Sequence, residues 1–291
     1  MIKLIASDMD GTLLNDKMQV SDGNAQAIRD AKAAGIEFMV ATGRGLTEAQ
    51  PLLAAQDLHP AFITLNGAQV YDEANQLVVD IPLSQAMTDL VIADLKTRKI
   101  YFELVTNQGI YSDSKVSRIQ NVADLLVNLN PDTSYKIAVA LAAARLELMN
   151  INYVDDYAPL LQTPGLQVMK IIAFSSAGQA VLAEPKRVFT ATKELIVTSS
   201  SANNIEINNI HAQKGSALAE FAQQRGIAMT EVMTLGDNLN DESMIRQAKY
   251  GVAMGNAVPA IKDIAWGQTT TNIEDGVAKA IYRAIAINQG A

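Results

Sequence analysis

Two aspartates end a short apolar run near the start of the sequence, and a glycine follows them at once. The stretch IASDMDGTLL places Asp8 and Asp10 two positions apart, with Gly11 directly after them. Side chains with this spacing on a strand point to the same face, so both carboxylates can face one ligand. Two like charges this close are costly to desolvate unless a positive charge lies between them. The stretch therefore predicts a bound cation.

Polar side chains also end the later apolar runs. Thr42 closes IEFMVATG, Asn66 closes AFITLNG, and Asp237, Asn240 and Asp241 lie in GDNLND, directly after EVMTL. In open parallel sheets, ligands bind beyond the carboxyl ends of the strands, where the strand order reverses. We therefore expect these side chains to converge at one edge of a sheet.

The chemistry predicted for such an edge is phosphoryl transfer. Lys214, at the start of KGSALAEFAQQ, would add a positive charge to the carboxylates. Carboxylate oxygens are the hard ligands that Mg²⁺ selects. A hydroxyl, an ammonium group and backbone N–H groups suit the remaining oxygens of a phosphate. The set predicts a Mg²⁺-dependent enzyme that acts on phosphate esters.

The elements that must position these residues alternate between strand and helix. The strand IKLIAS is followed by a helix that Ser21 caps and Gly35 ends, and then by the strands IEFMVATG and AFITLNGA. A similar alternation returns after residue 210 and closes with a helix over 273–287. Strands that are apolar on both faces indicate a parallel sheet covered by helices on each side. We predict the α/β class, with a doubly wound, Rossmann-like parallel sheet as the core.

The middle of the chain follows a different rhythm. Two strand-like segments form a hairpin that turns at residues 73–75. The predicted strands beyond it include IYFELVT, MKIIAF, ELIVTSS and NIEINN, with helical stretches between several of them. This pattern predicts a smaller α+β domain over residues 84–209. It would be inserted into a core formed by residues 1–83 and 210–291.

The composition excludes several classes of protein. The chain has 291 residues, 49% of them hydrophobic and 19% charged, which is typical of a globular protein. No apolar run approaches the ~18 residues of a membrane span, and Asp8 interrupts the start before a signal peptide could form. We therefore expect no membrane partner and a cytoplasmic location. A net charge of −8 disfavours a nucleic-acid partner.

Other cofactor chemistries find little support. The absence of cysteine excludes thiol nucleophiles and cysteine-bound zinc, and His59 and His211 are interpreted as structural. The segment GRGLTEA lacks the third glycine of a dinucleotide-binding loop, and no Gly-Lys pair exists for a Walker A loop. Mg²⁺ is the one cofactor that the sequence predicts.

The motifs and their order resemble a known family. DMDGT at 8–12, Thr42 in VATGR, Lys214 in QKGSAL and GDNLND at 236–241 resemble, in this order, the four motifs of the haloacid dehalogenase superfamily. The NGA at 66–68 and the large insertion between the second and third motifs resemble the Cof-type phosphatases with a type IIB cap. The resemblance covers essentially the whole chain and implies that residues 84–209 are that cap.

The resemblance implies how the acids divide the chemistry. Asp8 would be the nucleophile that forms an aspartyl phosphate, and Asp10 would be the general acid and base. The backbone carbonyl of Asp10 would join Asp8 and Asp237 around Mg²⁺. Gly11 would let the chain turn sharply behind the two acids.

The resemblance also implies which groups hold the phosphate. Thr42 and Lys214 would bind the phosphoryl oxygens, and Asn66 would contact them as well. Asn240 and Asp241 would support the lysine, the metal-bound waters or the phosphate.

Arg44 is not assigned to the catalytic set. A surface charge and a contact with the cap are the two interpretations that the sequence leaves open for it.

Three functions are consistent with the sequence. The favoured one is a phosphatase for small phosphorylated metabolites, above all sugar phosphates. A phosphosugar mutase on the same core is the second, and a non-catalytic protein that binds a phosphometabolite is the third. The small-molecule phosphate ester is the only partner predicted, and no feature indicates an oligomeric state.

Overall fold

The chain forms two compact units in a computed structural model that describes residues 1–130, 132–146, 151–201 and 203–290. Unit 1 comprises Met1–Ile81 and His211–Ala291, and unit 2 comprises Pro82–Ile210. Unit 2 is therefore inserted between the two segments of unit 1.

Strands and helices are numbered in chain order. The strands are β1 (Leu4–Ser7), β2 (Glu37–Ala41), β3 (Ala61–Thr64), β4 (Gln69–Tyr71), β5 (Leu77–Asp80), β6 (Tyr101–Thr106), β7 (Gly109–Ser112), β8 (Ile151–Tyr153), β9 (Val168–Phe174), β10 (Leu195–Thr198), β11 (Asn204–Asn209), β12 (Val232–Gly236), β13 (Tyr250–Ala253) and β14 (Gly267–Gln268). The helices are α1 (Asp22–Ala33), α2 (Leu46–Ala54), α3 (Gln85–Thr97), α4 (Lys115–Leu129), α5 (Tyr135–Leu146), α6 (Tyr157–Leu160), α7 (Gln179–Thr190), α8 (Lys214–Gln224), α9 (Glu242–Gln247), α10 (Pro259–Ile264) and α11 (Gly276–Gln289).

Within the described residues, unit 1 holds an eight-stranded sheet in the order β14-β13-β12-β1-β2-β3-β4-β5. The strands from β14 to β3 are parallel, whereas β4 and β5 add an antiparallel edge. The chain builds outward from β1 through β2 and β3, and later returns to the other side of β1 with β12. The strand order therefore reverses between β1 and β12, which is where a doubly wound sheet binds its ligand.

The local sequence explains how α1 begins and ends. The Ser21 hydroxyl accepts a hydrogen bond from the N–H of Asn24 at 3.1 Å, which confirms the predicted helix cap. Gly35 has φ +77° just beyond the helix, a backbone conformation that residues other than glycine rarely adopt. Ala27 and Ile28 lie on the buried face. The defined end of α1 therefore fixes where the chain enters β2.

The core of unit 1 holds β1 rigidly. Ile5 packs in a cluster with residues of α1 and α11, while Leu4 and Ala6 pack on the opposite face with residues of α8. Burying one such leucine or isoleucine side chain contributes about 1.5 to 3 kcal/mol. The residues at the end of β1 are therefore carried by a strand that is packed on both faces.

Unit 2 contains, within its described residues, a six-stranded sheet in the order β10-β11-β9-β6-β7-β8. The pairs are antiparallel except β7 with β8. One face packs against α3 and α7 through Val91, Leu95, Leu182 and Phe189. The other face carries buried charged groups, including the Lys170–Glu206 ion pair at 2.9 Å. In the described part of unit 2, one face of this sheet is therefore a hydrophobic core, and the other face carries charge.

The predicted α/β class is confirmed, with a parallel sheet at its core. The elements differ in detail: the chain after β12 forms a 3₁₀ turn, Leu239–Asp241, before α9 begins. The last helix begins at Gly276 rather than at 273. Among the described residues, no helix combines the length and the apolar character that crossing a membrane requires.

Candidate active site

The turn after β1 presents the two aspartates of DMDGT. Asp8 is 5% exposed, and Gly11 has φ +79°. A Cβ at position 11 would lie 2.6 Å from Oδ2 of Asp237, so only glycine fits this close approach. The predicted sharp turn at Gly11 is therefore present, and it brings the DMDGT segment against the end of β12.

A buried ammonium group links the first and last motifs. The Nζ of Lys214, at the start of α8, donates to Oδ1 of Asp8 at 2.6 Å and to Oδ1 of Asp241 at 2.7 Å. Burial alone would lower the pKa of Lys214, but the charges of Asp241 and Asp8 outweigh that effect and leave this pKa raised. Lys214 is therefore charged at neutral pH.

Negative charge nevertheless exceeds positive charge in this cluster. Burial raises the pKa of Asp8 well above its ordinary value, and the charges of Asp241 and Asp237 add to that effect against the opposing influence of Lys214. Burial, and then the charge of Asp241, raises the pKa of Asp237 to about 6. Burial is the main cause in both cases, and the sharing of one ammonium group by three carboxylates adds to it. The cluster is thus suited to a divalent cation.

Hydrogen bonds show which of the three carboxylates are open to a cation. One oxygen from each of Asp8, Asp237 and Asp241 lies within 4.8 Å of the others. Asp241, however, already accepts from Lys214 and, through Oδ2, from the N–H groups of Asp237 at 2.9 Å and Asn238 at 3.1 Å. Three accepted bonds leave this carboxylate little capacity for a metal ion. Asp8 and Asp237 therefore keep more acceptor capacity for a cation, whereas Asp241 binds Lys214 and the N–H groups of its own loop.

Thr12 holds Asp237 in place. The Thr12 hydroxyl donates to Oδ1 of Asp237 at 2.8 Å, and Thr12 itself is fully buried. This contact joins the loop after β1 to the loop after β12, although the two residues are 225 positions apart in the sequence. No pattern in the sequence indicates this role for Thr12.

A second group of polar residues lies at the ends of β2 and β3. The N–H of Asn66 donates to the carbonyl of Thr42 at 3.0 Å, and Nδ2 of Asn240 lies 3.4 Å from Oδ1 of Asn66. Asn66 has φ +62°, in the left-handed region that asparagine tolerates better than most residues. These contacts bring together Thr42, Asn66 and Asn240, three of the predicted site residues.

Arg44 binds Asp10 directly. Its Nε donates to Oδ2 of Asp10 at 2.8 Å, and one terminal nitrogen donates to Oδ1 at 2.5 Å. This hydrogen bond and the charge of Asp10 raise the pKa of the Arg44 guanidinium, against the effect of burial. The sequence contains only a weak signal for this pair, namely an arginine two residues after the strand-end threonine.

Taken together, the predicted side chains gather at the carboxyl ends of β1, β2, β3 and β12. The site combines the buried carboxylate of Asp8 with the exposed carboxylate of Asp10, the buried ammonium group of Lys214 and the buried hydroxyl of Thr42. Asp8 and Asp237 together form a pair of acids suited to a cation. These groups can stabilise the charge on a phosphoryl group and can supply both a nucleophile and a proton carrier.

Comparison with known proteins agrees with this chemistry. A model of the haloacid dehalogenase-like hydrolases matches residues 5–281. The phosphatase YwpJ of Bacillus subtilis is 33% identical over 279 residues, which cover 95% of this chain and 98% of YwpJ. The 5-amino-6-(5-phospho-D-ribitylamino)uracil phosphatase YcsE of the same organism is 35% identical over 280 residues, which cover 96% of this chain and 94% of YcsE.

A solved structure has the same fold. It is a haloacid dehalogenase-like hydrolase from Bacillus subtilis, 31% identical in sequence, with a TM-score of 0.86 over 97% of this chain and 99% of that chain. Fold, motifs and relatives therefore agree, and the chain belongs to the haloacid dehalogenase superfamily as a Cof-type phosphatase, a hydrolase of phosphoric monoesters.

Proposed function

We propose that this phosphatase hydrolyses small phosphorylated metabolites, above all sugar phosphates, through an aspartyl phosphate on Asp8 and with Mg²⁺ as cofactor. The observation that carries the proposal is the buried contact of Lys214 with both Asp8 and Asp241, beside Asp237. A buried carboxylate held by an ammonium group, with excess negative charge around it, suits nucleophilic attack on a phosphate whose charge a cation offsets.

The first step transfers the phosphoryl group to the enzyme. A carboxylate oxygen of Asp8 attacks phosphorus and forms a P–O bond, while the ester P–O bond breaks. Asp10 donates its proton to the departing alkoxide. Lys214 and the Thr42 hydroxyl donate hydrogen bonds to the phosphoryl oxygens, and we assign Asn66 and Asn240 to the same task.

The second step releases phosphate. Asp10, now a carboxylate, takes a proton from a water molecule that attacks phosphorus. The bond between phosphorus and the Asp8 oxygen breaks, which regenerates the Asp8 carboxylate and frees inorganic phosphate. The two steps thus use Asp10 first as acid and then as base.

Asp8, Asp237 and the backbone carbonyl of Asp10 would hold the Mg²⁺. When bound, the ion would neutralise the excess charge of the acids and polarise a phosphoryl oxygen. Asp241 and Gly11 support this arrangement, Asp241 through Lys214 and Gly11 through its close approach to Asp237.

Two arguments support sugar phosphates as the substrate class: the substrate named for a relative, and the chemistry of the leaving group. YcsE is named for a substrate that carries its phosphate on a ribityl chain, a sugar alcohol. An alkoxide of this kind is a poor leaving group, and a dedicated proton donor such as Asp10 is most useful for it. A screen for phosphate release from phosphorylated sugars, nucleotides and cofactors tests the proposal. A hexose phosphate that is isomerised without release of phosphate would favour a mutase instead.

Removal of the metal is expected to abolish activity, and Asp237→Asn is expected to raise the Mg²⁺ concentration needed for half-maximal activity by roughly tenfold or more. The reason is that the variant removes a charged ligand while its amide oxygen can still accept from Thr12. High Mg²⁺ should restore part of the lost activity. Steady-state rates in chelator and in a Mg²⁺ titration check this, with the exposed Asp263→Asn as a matched control.

Asp237→Asn is also expected to stabilise the metal-free protein against unfolding. The pKa of Asp237 in the folded state is about 6, above the value of a free aspartate. Protonated Asp237 therefore adds to the free energy of unfolding at low pH, and this contribution is lost as pH rises through 6. Above pH 6, metal-free Asp237→Asn should therefore be more stable than the parent by about 1 to 3 kcal/mol. Urea unfolding in chelator between pH 4 and 8 measures this. An unchanged Mg²⁺ dependence of activity would show that Asp237 is not a ligand.

Unit 2 is proposed to be the cap that excludes water and selects the leaving group. Substitution of Ser201 or Asn203, in the loop between β10 and β11, is expected to change relative kcat/KM among sugar phosphates by about tenfold, with little effect on a small generic ester. Asn204 is a poorer test because its Oδ1 accepts from the N–H groups of Ser200 and Ser201 and shapes the loop.

The control for this prediction is Gln108→Ala. Gln108 is exposed in the turn between β6 and β7, at the opposite end of the same sheet. Equal losses on sugar phosphates and on the generic ester would contradict a role of the β10–β11 loop in selectivity.

A further inference from the structure

The carboxylate of Asp10 is held by a two-pronged contact with Arg44. Nε and one terminal nitrogen of the guanidinium each donate to a different oxygen, at 2.8 and 2.5 Å. A planar guanidinium that binds both oxygens of a carboxylate fixes its direction as well as its position. Each oxygen keeps a further lone pair, so the carboxylate can still meet a second partner.

Within the part of the chain that the structure describes, no other residue binds the Asp10 side chain in this way. Among the described residues, both hydrogen bonds of its side chain come from Arg44. The side chain is 45% exposed, and its backbone is extended, with φ −80° and ψ 119°, immediately before the turn at Gly11. Without Arg44, the carboxylate would be free to change rotamer at the surface.

Arg44 is itself well anchored. Its N–H donates to the Thr42 hydroxyl at 3.1 Å, and its carbonyl accepts from the N–H of Leu65 at 3.0 Å. The backbone that carries the guanidinium is therefore tied to the ends of β2 and β3, next to the groups assigned to the phosphate. Its side chain is 30% exposed, less than that of Asp10.

We propose that Arg44 is a positioning residue, which acts by directing the Asp10 carboxyl group toward the leaving-group oxygen of the substrate. The inference rests on the proposed role of Asp10 and assigns a task to a residue that the family resemblance leaves without one. Arg44 is inferred to act through Asp10 and not by direct contact with the phosphate. Misplacement of a reacting group by about 1 Å can slow a reaction by about 10²-fold, which sets the scale of the effect.

The experiment compares two esters in single-turnover reactions. In Arg44→Met, the transfer of the phosphoryl group from an alkyl phosphate is expected to slow by roughly 10- to 100-fold, with KM changed by less than about threefold. Release of nitrophenolate from p-nitrophenyl phosphate in the first turnover should change by less than about threefold, because this leaving group needs no proton. Arg44→Lys keeps the charge but loses the fork, so it should restore only part of the loss.

A double variant separates positioning from direct binding. Addition of Arg44→Met to Asp10→Asn should slow alkyl phosphate transfer no further, since Arg44 acts through Asp10. The matched control is Arg225→Met. Two nitrogens of Arg225 donate to the carboxylate of Glu73, at the opposite edge of the sheet. This control variant should alter neither the ratio of the two esters nor KM.

Three results would overturn the inference: equal slowing of both esters, a loss that appears mainly in KM, or a further loss in the double variant. If Asp10→Asn slows transfer from the two esters equally, the proposed role of Asp10 fails, and the inference fails with it. If Asp10→Asn shows the leaving-group dependence while Arg44→Met does not, only the inference fails.

Discussion

Asp8→Asn is expected to abolish turnover of every phosphate ester, alkyl and nitrophenyl alike, by roughly 10⁴-fold or more. The amide of asparagine is a far weaker nucleophile than the carboxylate, so no aspartyl phosphate can form. No leaving group can compensate, because the lost step is attack at phosphorus and not departure of the alcohol. Steady-state rates, together with a search for phosphorylated protein after rapid quenching, check this.

The fold of Asp8→Asn should be at least as stable as that of the parent in the absence of metal. Burial and the neighbouring acids raise the pKa of Asp8, so its charged form destabilises the folded state at neutral pH. Lys214 keeps its contact with Asp241 at 2.7 Å and is therefore not left as an unpaired buried charge. An unchanged or higher unfolding temperature would show that the lost activity is not lost structure.

Asp16→Asn is the matched control, since Asp16 is an exposed aspartate a few residues further along the same segment. It should retain the activity of the parent. Substantial turnover by Asp8→Asn, with the identity of residue 8 verified in the purified protein, would contradict the assignment of the nucleophile.

Asp10→Asn is expected to produce an effect that depends on the leaving group. Transfer from an alkyl phosphate should slow by about 10² to 10⁴-fold, the usual contribution of a general acid. Transfer from p-nitrophenyl phosphate should be much less affected, because nitrophenolate departs without a proton. The variant should therefore release about one nitrophenolate per active site in a burst and then stall, since the second step still lacks its base.

Rapid mixing with p-nitrophenyl phosphate measures the burst directly. The asparagine can still accept from Arg44 through its amide oxygen, so one hydrogen bond to the side chain persists. Equal slowing on alkyl and nitrophenyl esters, with no burst, would leave Asp10 as a residue of the metal site only.

Much of the core fold was predictable because its determinants are local. Apolar segments such as those of β1 and β12 are buried on both faces, and a parallel sheet is the arrangement in which short strands of this kind are stable. Ser21 and Gly35 mark the ends of α1 through hydrogen-bonding and conformational preferences that depend on the residue type alone.

Element boundaries were less predictable where tertiary contacts override local preference. The segment 239–241 forms a 3₁₀ turn because the Asp241 carboxylate accepts from the N–H groups of Asp237 and Asn238 and so closes the loop upon itself. The two-residue β14 is defined by pairing with β13, and its own sequence carries no strand pattern.

The sequence by itself determined that polar residues end the strands of a parallel sheet, and therefore that acids, a lysine and a hydroxyl share one edge. That conclusion needs only the order of the motifs and the geometry common to such sheets. The tertiary structure alone decided which groups touch: Thr12 with Asp237, Lys214 with both Asp8 and Asp241, and Arg44 with Asp10. These contacts join residues from 27 to 225 positions apart. Their distances depend on how loops from different strands pack, and no local pattern of residues encodes that packing.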